Sequence, residues 1–148
     1  MKSLIDYLSR VGKARGFGIQ SPWAYSFVRD VIMEKLRYYE YDNIEKKNLN
    51  RDDEKKEKLY WRLKNFVYGH SFSVFRIAEL PDVLSLMDDY DSDGVICLEG
   101  IRENKENEEK WEKFKALDSV GVTFDLYDLA IVFPRNTLNK QHYKLNFR

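Results

Sequence analysis

Little in this chain is cysteine, and the one that exists, Cys97, excludes an intrachain disulfide and fits a reducing compartment. Net charge is absent too. Lys+Arg 25 against Asp+Glu 25 leaves no global field to draw in nucleic acid or an anionic membrane surface, so only a local patch would serve either. No apolar run approaches the roughly 18 residues of a membrane span. Lys2 and Asp6 lie too close to Met1 for a signal-peptide core, so the expected location is cytoplasmic. A glycine-rich turn between a strand and a helix is missing as well. Gly16-Phe-Gly18 follows a helical segment, and it lacks the third glycine and the downstream acid of a dinucleotide cradle.

What is present argues for a folded globule. Hydrophobic residues make up 43% of the chain and aromatics 15%, enough for a core over 148 residues. Leu4, Leu8 and Val11 recur at helical spacing and predict a helix over 3–12, with Gly12, Gly16 and Gly18 as a bend. Ser21 as N-cap and Pro22 at the first turn open a second helix over 22–36, with Ala24, Phe27, Val28, Val31 and Ile32 as its apolar stripe. The charged run from Glu45 to Lys58 reads as a solvated loop merging into a helix over 51–67, whose apolar face carries Leu59, Leu63 and Phe66.

The second half changes character. Ser73–Ala78 alternates like a strand, Pro81 opens a helix reaching Tyr90, and Asp88–Gly94 is an acidic loop. Val95–Leu98 is a continuous apolar run, the mark of a strand covered on both faces. A helix over 104–117 turns Trp111, Phe114 and Leu117 inward. Val122–Leu126 and Leu129–Phe133 are strands, Pro134 ends the second, and His142–Phe147 adds a short last one. The crossover length between 74–78 and 95–98 predicts a parallel pair, and the tight 122–133 connection requires an antiparallel one.

Ile96-Cys-Leu-Glu-Gly-Ile101, Trp111 in the next helix, Gly121–Phe133 and Lys140–Phe147 together resemble the closing half of a class I S-adenosylmethionine-dependent methyltransferase. Gly16-Phe-Gly-Ile-Gln-Ser-Pro22 and Leu59-Tyr-Trp-Arg-Leu63 resemble the helical N-terminal extension of its O-methyltransferase-like branch. The resemblance covers about residues 1–67 and 74–148. It implies an α/β fold: a helical N-terminal region, 1–70, and a partial methyltransferase-like region, 71–148, with a truncated Rossmann-like mixed sheet of about four or five strands and flanking helices. Between the two blocks the family places three strand–helix units of roughly 30 residues each. Here His70-Ser-Phe-Ser73 spans that gap, and the units that grip the methyl donor have no counterpart. The expectation is therefore a shortened methyltransferase-like protein of unknown specific function, without a cofactor, acting as a binding or assembly module. The alternative is a methyltransferase that uses S-adenosylmethionine on a small hydroxylated substrate once a partner chain completes it.

No catalytic residue is assigned. Glu99, just past the end of a buried strand, is the candidate for cofactor contact. A single carboxylate does not make a metal site, and its plainer role is as a solvated or helix-capping group. His70 and His142 lack a partner readable from sequence, and Cys97 inside an apolar strand reads as an inert core thiol. Trp23, Tyr25 and Phe27 with Arg15 and Arg29 sketch an aromatic–basic surface, but Phe27 belongs to the core stripe. Asp88, Asp89, Asp91 and Asp93 miss the spacing of a calcium loop. With the preceding units gone, the strand near Val74–Ala78 becomes a sheet edge. A homodimer formed across it is the expected partner arrangement, beside a possible full-length paralogue, with no nucleic acid and no membrane.

Overall fold

The computed structural model describes residues 22–80, 90–134, 140–145 and 147. The helix expected over 3–12, the glycine bend, the Ser21 cap, Arg15, Asp88, Asp89 and most of the helix opened by Pro81 lie outside the described residues.

The fold is α/β, with the short mixed sheet that the sequence implies. Its five strands are β1 (Phe72–Arg76), β2 (Val95–Glu99), β3 (Val122–Asp125), β4 (Leu129–Phe133) and β5 (Gln141–Lys144), laid out in the order β1-β2-β4-β3-β5. β1 and β2 run parallel, with Phe72 opposite Val95 and Arg76 opposite Glu99. β3 and β4 form the expected hairpin, and β4 inserts antiparallel between β3 and β2. β5 closes the far edge parallel to β3. Among the described residues β1 stands at the other edge, as expected.

Alternation along the central strands divides two apolar clusters. Val95 and Cys97 of β2, with Leu129, Ile131 and Phe133 of β4, face one side; Ile96, Leu98, Ala130 and Val132 face the other. Both faces of β2 are thus covered, which is why its run is unbroken. The first face is roofed by α1 (Pro22–Phe27) and α3 (Arg51–Phe66). Leu59 and Leu63 of α3 are fully buried there, each contributing about 2 kcal/mol of transfer free energy. The second face is covered by α4 (Lys105–Lys115), through Trp111 and Phe114, and by a tight 3-10 turn at Ile77–Glu79.

Helix starts follow their caps. Asn50 accepts from the Asp53 amide at 2.9 Å to open α3, whose first turn is acidic and whose last turn holds Lys64. Asn104 accepts from Asn107 N–H at 2.8 Å to open α4.

Four expectations need correction. The 22–36 helix does not run on as a regular helix: it widens into a π turn over Val28–Ile32, where Met33 N–H reaches the Val28 carbonyl at 2.8 Å, and it stops there. Glu34 Oε1 then accepts both the Lys35 and Leu36 amides and turns the chain away. Phe66 is 45% exposed and Val67 takes the buried place, because the stripe of α3 drifts by one position at its end. The first strand starts at Phe72 and ends at Arg76, since Ile77 begins the 3-10 turn. A short helix α2, Tyr41–Glu45, stands where the charged run begins; Arg37 and Lys58 hold its Glu45 from both sides. No helix among the described residues is long and apolar enough to cross a membrane.

Candidate functional site

The parallel pair puts Arg76 and Glu99 side by side at its carboxyl end. α3 passes over that end and contributes Lys56 and Tyr60, one turn apart and therefore on one helix face. Tyr60 O–H donates to the Glu99 carboxylate. Lys56 Nζ lies 3.7 Å from Glu99 Oε1, and Arg76 lies 3.5 Å from its Oε2. Arg76 also pairs with Glu103, and Lys56 reaches Asp53 at 3.6 Å. Glu99 is neither freely solvated nor a helix cap, the plainer roles that sequence suggested. It is the centre of a mixed-charge cluster, with its side chain only 18% exposed.

Burial, then the bond to Glu99, pushes the Tyr60 phenol well above its ordinary range, so it stays protonated and donates. Clefts of about 630 and 680 Å³ open on either side of the cluster and share Asp53, Lys56 and Glu99 in their walls. The second cleft is bounded by the bend at Gly100. Its φ of +77° is open to glycine, and a Cβ there would come within 3.2 Å of Arg76 and 3.0 Å of Glu103. Gly100 therefore keeps the Arg76–Glu103 pair close to the strand end. The cluster holds two cations and two carboxylates beyond Glu99, so it suits a polar ligand carrying both charges better than a bare anion.

Among the described residues, His70, Asp91 and Asp93 form the one group of three metal-type ligands, their donor atoms within 4.8 Å of one another, at the amino end of β1 and β2. Asp91 already accepts from Ser71 N–H, Asp93 N–H and the His70 ring, and these donors hold its carboxyl below the usual range. Glu99 belongs to no such group among the described residues. His142 meets the Thr123 hydroxyl through Nδ1 at 2.7 Å. Burial, with Lys115 and Lys140 nearby, pulls its pKa down. Cys97 is fully buried and its thiol is pushed up, mainly by burial, as expected of an inert core thiol. Of the aromatic–basic surface, Arg15 lies outside the described residues and Arg29 lies over the Tyr25 ring at 5.5 Å. Trp23 and Phe27 pack on Phe124 and Phe133, and Arg29 pairs with Asp30 at 2.7 Å.

Sequence singled out Glu99 and missed Lys56, Tyr60 and Arg76 around it. The only readable signal was the four-residue spacing of Lys56 and Tyr60; that they reach over β2 depends on the tertiary fold. Comparison of the chain with protein-family models, with curated proteins and with solved structures gives no match.

Proposed function

We propose that this is a methyltransferase-like protein that works as a binding or assembly module and does not transfer methyl groups by itself. One observation carries the reading. α3 ends at Phe66, β1 begins at Phe72, and β1 is the edge of the sheet. The connection leaves no room for the strand–helix units that, in the resembled family, hold the adenosyl group. The strand–helix–hairpin order from β2 to β4 supports the resemblance itself, because the resembled sheet closes in that way. At the strand ends where such folds build their sites, the Glu99 carboxylate is already occupied by Tyr60, Lys56 and Arg76.

Titration calorimetry of the chain with S-adenosylmethionine and S-adenosylhomocysteine tests this. No heat of binding is expected from the isolated protein, and saturable binding at low micromolar concentration overturns the module reading. The edge position of β1 favours the second reading, in which a partner chain supplies the missing units and a small hydroxylated molecule is methylated. In that case donor binding appears only after the partner is added.

The same edge argues for a homodimer. Five residues of β1 pair with β2 on one side, and Val74 at its middle is 38% exposed. Antiparallel pairing of two copies about Val74 satisfies both edges with one two-fold contact. The proposed setting is cytoplasmic, on the strength of the single, buried, unpaired cysteine.

A further inference from the structure

A separate cavity, of about 490 Å³, lies between α1 with its π turn and α3. Its size falls in the range of small-molecule sites. The wall is aromatic: Trp23 and Phe27 from α1, Tyr38 from the connection, and Trp61 and Phe66 from α3. Tyr38 leans on Trp61 with ring centroids 4.9 Å apart, and Phe66 meets Phe27 edge-on at 5.1 Å. Rings held this way present π faces and edges at which a further flat ring packs more favourably than a bulky aliphatic group does.

The π turn gives an independent reason to look here. Such turns cost regular hydrogen bonding and recur where a helix shapes a site. This one is held open from outside. Arg62 donates to the Val31 carbonyl at 2.6 Å, to the Ile32 carbonyl at 3.1 Å and to the Tyr41 hydroxyl at 2.9 Å. Residues Asp30 and Val31 of the turn line the cavity.

The rim is polar. Asp30 stands there with its charge matched by Arg29. Asn65 donates one side-chain N–H to the Trp61 carbonyl at 2.8 Å and brings its side-chain oxygen as an acceptor, and Ser26 adds a hydroxyl. Arg62, the one cation of the wall, is committed to the carbonyls it caps. A hydroxyl or N–H donor on a ligand meets these acceptors.

We propose that this cavity binds a small planar aromatic molecule bearing a hydroxyl or N–H donor. The site lies in the helical layer and its wall does not include Glu99, so it stands or falls apart from the methyl-donor question.

The full chain labelled with 5-fluorotryptophan carries three fluorine reporters. Trp23 and Trp61 are in the wall, and Trp111 is buried in the opposite apolar cluster. Titration with 2-naphthol should shift the Trp23 and Trp61 resonances saturably and leave Trp111 in place. Cyclohexanol, which keeps the hydroxyl without the ring, should bind at least about tenfold more weakly. Ser26→Phe, which fills the cavity from its rim, and Tyr38→Ala, which removes a wall ring, should each weaken binding by about tenfold or more, with an unmoved Trp111 resonance reporting an intact fold. The proposal is overturned by any of three results: no saturation up to about 1 mM, shifts that include Trp111 equally, or cyclohexanol binding on a par with 2-naphthol.

Discussion

Gly94 shows how tightly single positions are set. A Cβ there would lie 2.5 Å from the Ser71 carbonyl, which itself accepts the Val95 amide at 2.9 Å and so fixes the start of the β1–β2 pair. Gly94→Ala should cost about 1–3 kcal/mol in urea unfolding, because backbone must shift and no flexible side chain can yield in its place; a variant as stable as the parent would show that the two strand starts are not held this way. His142 gives a pH dependence. Its folded pKa is lowered from the ordinary 6.5, so on acidification the unfolded chain takes up the proton first. Its contribution is whole above the ordinary value and is lost as pH falls through the folded one. His142→Gln should therefore lose less stability than the parent between about pH 7 and 5, with parallel slopes as the contrary result.

At the scale of elements, the π turn depends on a residue far away in sequence. Arg62→Met leaves the Val31 and Ile32 carbonyls without their donors, and a destabilisation of about 2–4 kcal/mol is expected. Hydrogen exchange at the Met33 amide, which closes the turn on Val28, should quicken beyond the global change. Equal quickening across α1 and α3 would mean that Arg62 only adds general stability. The same turn marks the boundary of what the sequence reveals. Strands β2 and β4 were readable because both their faces are apolar, β3 because it follows the same short spacing with Val122 and Phe124 on one face, and α3 and α4 because caps and stripes agree. Val28–Ile32 keeps the apolar positions of an ordinary helix, so periodicity carries no sign of its widening; the cause is a guanidinium that arrives from residue 62. Glu99 was readable from its place after an apolar strand. The Tyr60 hydroxyl and the Lys56 and Arg76 charges around it were not, because a helix crossing over a sheet is set by packing and not by local spacing.

For the whole molecule the edge strand decides behaviour. A dimer is expected at micromolar concentration in light scattering, and Val74→Lys, which places a charge at the centre of each edge, should halve the mass while leaving the far-ultraviolet circular dichroism unchanged. A parent protein that scatters as a strict monomer would remove the proposed pairing. The opposite flank of the parallel pair carries a consequence for how the chain is made. β2 leans on β1 from one side and, on the other, on β4, a strand that begins thirty residues after β2 ends, at Leu129. On a ribosome, Val95–Glu99 leaves the tunnel with half of its backbone partners still unsynthesised, and the hairpin must wedge itself in beside it from behind. Until then one of the most water-averse stretches of the protein waits uncovered, which makes the interval before β4 emerges the moment when a chaperone, or a second nascent copy, has its best purchase on this chain.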